Sequence, residues 1–170
     1  IFYFGCGIGG DVQRLKSAGY NCDGWDPYYF PDVEWRSADI VNLSYIINVI
    51  EDPEERDRAL IQAWALTGRV LIVAAQILVN DLRGVFAYGD GILTKRNTFQ
   101  KYYQQAELKE YIDRVIAVDA IPIGLGIFLV FRDECQAESF RAARLYTRMT
   151  TPRVRIESKR FEDYQVQLAP

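Results

Sequence analysis

A glycine-rich hexapeptide, GCGIGG at residues 5–10, constrains this chain more than any other stretch. The apolar run IFYF before it reads as a buried strand, and Val12, Leu15, Ala18 and Gly19 after it fall on one helical face. Strand, glycine turn and helix together let the backbone approach a nucleotide closely and aim the free N–H groups of a helix start at it. The loop alone leaves alternatives open. Gly5, Gly7 and Gly10 also satisfy the dinucleotide pattern G-x-G-x-x-G, and glycine turns form with no ligand at all. Asp26 sharpens the signal. It closes the segment 20–25, about twenty residues past the glycines, where an acidic side chain accepts hydrogen bonds from both ribose hydroxyls. The competing account is that Asp26-Pro27 only opens a turn.

With 170 residues, 49% of them apolar, and a net charge of −3, the chain fits one globular domain with a proper core. No apolar segment approaches the length of a membrane span, and no signal peptide is visible. Cys6, Cys22 and Cys135 are odd in number and lack a paired spacing, which predicts a reduced, cytoplasmic protein. Histidine is absent. That removes the commonest general base and the commonest metal ligand, and no cysteine cluster replaces it. A zinc enzyme and a Ser-His hydrolase are disfavoured, and no metal is expected. Chemistry that rests on positioning a reactive cofactor passes this filter. The chain opens on its first strand without Met, which gives the expectation of an excised domain.

Beyond Asp26, the sequence PYYFPD is a proline-bracketed aromatic loop in which two prolines argue against helix. The next strand, 38–43, follows after only about a dozen residues, too few for a crossover helix and a further parallel strand. One βα unit is therefore expected to be missing. Residues 44–50 are apolar on most sides. Asp52 then reads as an N-cap, Pro53 as a first-turn residue, and Ala59, Leu60, Ala63, Trp64 and Leu66 as the buried face of a helix ended by Gly68. Residues 69–75 form the clearest central strand. A long polar segment, 80–103, precedes a helix from Gln105, and the apolar runs 115–121 and 126–131 are joined by PIGL as an antiparallel hairpin. The prediction is alternating β and α with a mostly parallel sheet and a closing antiparallel pair. A dinucleotide dehydrogenase would continue with parallel units instead, so the hairpin disfavours a nicotinamide-dependent oxidoreductase. The last stretch carries Arg141, Arg144, Arg148, Arg153, Arg155, Lys159 and Arg160. It reads as a solvated basic helix and linker, with phosphate contact as the alternative.

Several stretches now resemble one family. FGCGIGGDV (4–12) followed by GWDPYY (24–29) resembles the class I S-adenosylmethionine (SAM) methyltransferases, and more narrowly those associated with bacterial DNA phosphorothioation gene islands. The stretches DIVNL (39–43), NVIED (48–52), YGDGILT (88–94) and TFQKYY (98–103) are similar to the narrower group as well. The resemblance implies a Rossmann-like methyltransferase sandwich over residues 1–135, a tail from 136 to 170 leading toward a further region, and SAM as cofactor. Gly5, Cys6, Gly7 and Gly9 would bend under its methionine part, Asp26 would hold the ribose, Pro27 and Tyr28 would flank the adenine, and Asn42 would face the sulfonium. Loop packing competes for Pro27 and Tyr28, and a plain strand end for Asn42.

No universal catalytic residue is required for methyl transfer, since the cofactor carries the electrophile and the protein aligns donor and acceptor. For an acceptor needing deprotonation the candidates are Asp90, Tyr45 and Tyr88, with Lys95 and Arg96 for an anionic substrate; a turn role competes for Asp90 between its two glycines. The segment after the central strand reads as a substrate lid. The acceptor is unidentified, with DNA or a protein of a DNA-modification system implied by the narrower resemblance. Tyr3 stands where the class carries an acidic residue, and Ile8 where the narrower group favours a basic one. A non-catalytic SAM-binding or scaffold module is therefore carried as the alternative.

Overall fold

A computed structural model describes residues 1–78 and 86–150, with side chains described through Leu145. Its elements are β1 (Phe2–Phe4), α1 (Gly10–Ser17), β2 (Asp23–Trp25), β3 (Ala38–Ser44), α2 (Pro53–Leu66), β4 (Thr67–Ala74), β5 (Phe86–Tyr88), β6 (Gly91–Leu93), β7 (Phe99–Gln100), α3 (Gln105–Ile116), β8 (Ile121–Gly124), β9 (Ile127–Phe131) and α4 (Glu134–Thr150). The body is residues 1–137, and a second unit starts at Glu138. The expected boundary at 135/136 falls inside α4. Asn80, the start of the expected lid, and the tail residues Arg153, Arg155, Lys159 and Arg160 lie outside the described residues.

Six strands form the main sheet in the order β2-β1-β3-β4-β9-β8. The first four are parallel, β9 runs antiparallel to β4, and β8 antiparallel to β9. The mostly parallel sheet and closing hairpin match the sequence expectation. So does the short return from β2 to β3, where residues 26–37 contain no helix and only an isolated bridge between Asp26 and Phe30. β2 is left as an edge strand.

Register explains which side of the sheet carries the core. Phe2, Phe4, Val41, Leu43, Leu71, Val73, Phe128 and Val130 share one face and are essentially buried. Ala59, Leu60 and Ala63 of α2 and Leu108, Ile112 and Ile116 of α3 belong to the same cluster. At about 1.5–3 kcal/mol for each large buried apolar side chain, this face dominates the stability of the body. On the opposite face α1 buries only Val12, which packs over Gly24 of β2. The expected apolar stripe therefore fails beyond Val12: Leu15 is half-buried, and Ala18 and Gly19 are exposed.

Local chemistry sets the element ends, with three corrections. Asp52 caps α2 by accepting from the Glu54 N–H at 3.0 Å, and Pro53 opens the helix, as its missing donor allows. Gly68, however, does not end α2; the helix stops at Leu66 and Gly68 lies within β4 against the Ala38 carbonyl. Residues 115 and 116 belong to α3 rather than to a strand, because Ala117 ends the helix in the left-handed region (φ 57°) and the hairpin begins only at Ile121. The polar segment after β4 contains a three-stranded antiparallel sheet, β5-β6-β7, whose strands of two or three residues are too short for period-two patterning to reveal. Among the described residues, no helix is long and apolar enough to cross a membrane.

Candidate functional site

The chain leaves β1 toward β2 on one side and returns through β3 on the other, so the sheet order reverses between β1 and β3. Ligands of open α/β sheets bind outside the strand ends at such a point. The glycine loop stands there. Gly5, Gly7 and Gly9 all have positive φ, whereas Gly10 does not and begins α1 in open space. The alternating pattern G-x-G-x-G is thus the one the backbone requires, and the match of Gly10 to a dinucleotide pattern is incidental. At Gly5 the demand is double: φ is +83°, and an added Cβ would stand 2.4 Å from Cδ1 of Ile46.

Asp26 organises the loop. Its Oδ2 accepts the Gly7 N–H at 2.9 Å, and its Oδ1 accepts the N–H groups of Tyr28 and Tyr29, each at 3.0 Å. A carboxylate offers about four acceptor sites, so roughly one remains. Asp26 can take one ribose hydroxyl as the loop stands, where the sequence pointed to two. These bonds are the turn that the competing account expected, and they leave an acceptor site over.

A cavity of about 310 Å³ opens beside Gly5 and Asp26. Phe4, Trp25 and Pro27 line it from the sheet ends, Ile46, Val49 and Ile50 from the segment after β3, and Glu55, Arg58, Ala59 and Gln62 from α2. Trp25 is braced by Phe4 and Trp35, with all three ring centroids 5.0–5.1 Å apart. The other proposed contacts are placed differently. Pro27 lines this cavity, but Tyr28 is 82% exposed and packs edge-on against Tyr29. Cys6 turns its side chain toward Gly24 and Val12, and burial, then the Asp26 charge, raise its pKa. It is a neutral packing group there. Asn42 lies inside β3 beside Tyr3 and Ile72, its side-chain oxygen accepts from the Ser44 hydroxyl, and it does not line this cavity.

A second cavity, about 560 Å³, is lined by Glu51, Asp52, Pro53, Glu55, Tyr88, Gly89, Asp90 and Phe99. Glu55 borders both cavities. Asp90 is not free to act as a base here. Arg56 binds both its oxygens (2.7 and 3.1 Å) and Lys101 reaches it at 3.1 Å, and this pairing holds its pKa at about 2. Tyr88 is bonded to Glu51, whose carboxylate raises its pKa, so it too resists giving up a proton. Tyr45 lines neither cavity; it follows β3 at φ 61°, with an exposed side chain. Lys95 and Arg96 sit on the exposed β6–β7 turn, likewise away from both.

Sequence reasoning missed Arg56. It is 3% exposed, donates to the Ile50 and Glu51 carbonyls as well as to Asp90, and lies over the Phe99 ring at 5.8 Å. Burial opposes its charge, but the bond to Asp90 and the neighbouring charges outweigh it and raise its pKa. The available signal was helical phase, since Arg56 stands three and four residues before Ala59 and Leu60. Lys101 extends this network to Glu107 at 2.8 Å.

No family model matches the chain, and no curated protein matches it. Solved structures do. Magnesium protoporphyrin IX methyltransferase from Synechocystis PCC 6803, solved with bound SAH, superposes with a TM-score of 0.53 at 16% identity, over 78% of this chain and 73% of that one. The 1,6-didemethyltoxoflavin-N1-methyltransferase of Burkholderia thailandensis, solved with bound 1,6-didemethyltoxoflavin and S-adenosylhomocysteine, gives 0.54 at 11% identity over 76% and 69%. CalS10, a SAM-bound amino pentose methyltransferase from Micromonospora echinaspora, gives 0.51 at 13% identity over 78% and 82%. At these identities the likeness speaks for architecture: the body of this chain has the Rossmann-like methyltransferase fold.

Proposed function

We propose that this domain binds SAM in the cavity beside Gly5 and Asp26 and transfers its methyl group to an acceptor in the adjoining cavity. The observation that carries the proposal is the shared position of the left-handed G-x-G-x-G loop, the Asp26 carboxylate and a cavity at the point where the sheet order reverses. The residues fit such a cofactor: Gly7 has open space above it, Asp26 keeps an acceptor site for a ribose hydroxyl, and Trp25 and Pro27 offer apolar surface to a base. The bound cofactor would supply an electrophilic methyl on a sulfonium. The chain's own part is alignment and shelter. Phe4, Trp25, Val49 and Ile50 exclude water, and Glu55, common to both cavities, is the carboxylate placed to take a proton from an acceptor. Asp90 positions the inserted strands.

The acceptor cavity is lined by carboxylates, which repel a phosphate backbone at that point. This favours a small or protein-borne acceptor over DNA itself. Taken with the resemblance to phosphorothioation-associated methyltransferases, it supports a role on a partner molecule of a bacterial DNA-modification system, within the cytoplasm. The body would act as the methyltransferase-like domain and the basic tail as a link to a further region. A second reading, a SAM-binding module without turnover, rests on Tyr3, which occupies β1 between Gly24 and Asn42 where the class carries an acid.

Calorimetric titration of SAM and its demethylated product tests the proposal, with NADH as a rival ligand and Asp26→Ala as the control. Micromolar binding of SAM that is lost in the variant supports it. No heat and no thermal stabilisation at millimolar SAM refutes it, and saturable binding with no methylated product in a search over candidate acceptors favours the module.

A further inference from the structure

We infer that residues 45–50 form a two-position strap, with Ile46 as the gate over the glycine loop. The inference rests on the cofactor assignment above and concerns how the same site opens. Three features fall within four consecutive residues. Tyr45 holds φ 61°, a left-handed conformation that bulky side chains rarely adopt, and is pinned by donating its N–H to the Ala74 carbonyl at 2.7 Å. Ile46 lays Cδ1 against the Gly5 backbone, in the space that a Cβ on Gly5 would claim. Asn48 is 3% exposed, and its side-chain oxygen has no hydrogen-bond partner. A strained residue and an orphaned buried acceptor in one short stretch mark a conformation held by its surroundings rather than by its own preferences.

The surroundings show what holds it. The Asn48 carbonyl accepts the Lys101 N–H at 2.7 Å, Tyr103 donates its hydroxyl to the Ile47 carbonyl at 3.4 Å, and Arg56 grips the carbonyls of Ile50 and Glu51. Arg56 and Lys101 are also the two cations on Asp90. The strap is thus hinged at Tyr45, free of backbone ties at Ile46 among the described residues apart from its bond to Val49, and anchored at its far end to the inserted sheet. With Ile46 on Gly5 the cavity measures about 310 Å³, at the lower limit of sites that enclose a drug-sized ligand. Swinging Ile46 off Gly5 enlarges that cavity at its floor. Ile46 thus narrows the site in the free protein, and the bound nucleoside selects the open position.

Methyl relaxation dispersion on the isoleucine δ1 carbons of the free, full chain reads the strap without any ligand. Exchange on the microsecond-to-millisecond scale at Ile46, with flat profiles at Ile112 and Ile121 in the core, is the expected result. A flat profile at Ile46 overturns the inference whatever the ligand does. Calorimetry with S-adenosylhomocysteine on Ile46→Ala adds the second arm, where at least five-fold tighter binding than the unmodified chain is expected. Equal or weaker binding overturns the gate and leaves the cofactor assignment standing. Exchange at Ile46 with no binding to either protein supports the strap and refutes the cofactor assignment.

Discussion

Asp90→Asn separates a structural carboxylate from a catalytic one. Its pKa falls from 3.8 to about 2 because Arg56, and then Lys101, bond the ionised form. At full strength that difference corresponds to roughly 2.5 kcal/mol of folding free energy. The Asp90 side chain is 39% exposed, so solvent screening brings it to about 1 kcal/mol. Arg56 is buried and keeps its bonds to two backbone carbonyls, and its exchange of a charged acceptor for a neutral one is this same loss seen from the other partner. The variant should lose about 1 kcal/mol in urea unfolding at pH 7, or roughly 2–4 °C in melting temperature. A depressed folded-state pKa means that the contribution is complete above the unfolded value of 3.8 and disappears as the pH falls toward 2. The gap between the two proteins should therefore stay constant from pH 7 to about 5 and narrow between about pH 4 and 2. An Asn variant as stable as the parent at pH 7, or a gap unchanged at pH 2.5, refutes the latch. Retention of SAM affinity in the folded variant is expected as well, because Asp90 does not line the cofactor cavity.

Gly5→Ala should destabilise the body by roughly 2–4 kcal/mol, since φ is +83° and the methyl group meets Ile46, whereas Gly10→Ala should be neutral or stabilise by about 0.5–1 kcal/mol in the same thermal melts. Asp26→Ala releases three backbone N–H groups at once and should weaken SAM binding at least ten-fold by calorimetry, with increased amide exchange at Gly7, Tyr28 and Tyr29. Tyr3→Glu introduces the acid carried by the methyltransferases that this chain resembles and should tighten SAM without tightening adenosine; equal gains for both would show that the carboxylate does not reach the amino-acid end.

The parts of this fold legible in the sequence are those written in local chemistry. Alternating positive φ at Gly5, Gly7 and Gly9 needs glycine, Asp52-Pro53 starts a helix by capping, and the apolar run 70–75 suits a strand that is flanked by β3 and β9. Even the missing βα unit could be counted, since no crossover fits between Asp26 and Ala38. What failed was decided across the chain. Whether Ala18 and Gly19 are buried depends on what covers that face of the sheet, and the periodicity of α1 cannot report it. Whether Asp90 is a base or an anchor depends on Arg56, 34 residues away, and an arginine on a helix gives no hint that an aspartate from a distant turn will neutralise it.

Asp26 shows why the site itself was only half legible. Spacing from the glycines placed a carboxylate at the correct strand end, and the proline after it correctly marked a turn; the two accounts seemed to compete because each assigned the side chain a single duty. Under the proposed cofactor role it has both: three acceptor positions spent on Gly7, Tyr28 and Tyr29 hold the loop in the shape that leaves the fourth for a ligand. A carboxylate that builds its own binding site cannot be removed as a clean test of binding. The loss of SAM affinity in Asp26→Ala therefore combines a lost ligand contact with a released loop. Asp26→Asn keeps one carbonyl oxygen, an acceptor either for Gly7 or for the Tyr28 and Tyr29 pair, so the ratio of the two affinities, set against amide exchange at Gly7, divides the effect between them. If Asn restores slow exchange at Gly7 yet leaves affinity as low as Ala does, the contact with the ligand dominates; if affinity and protection recover together, the loop does.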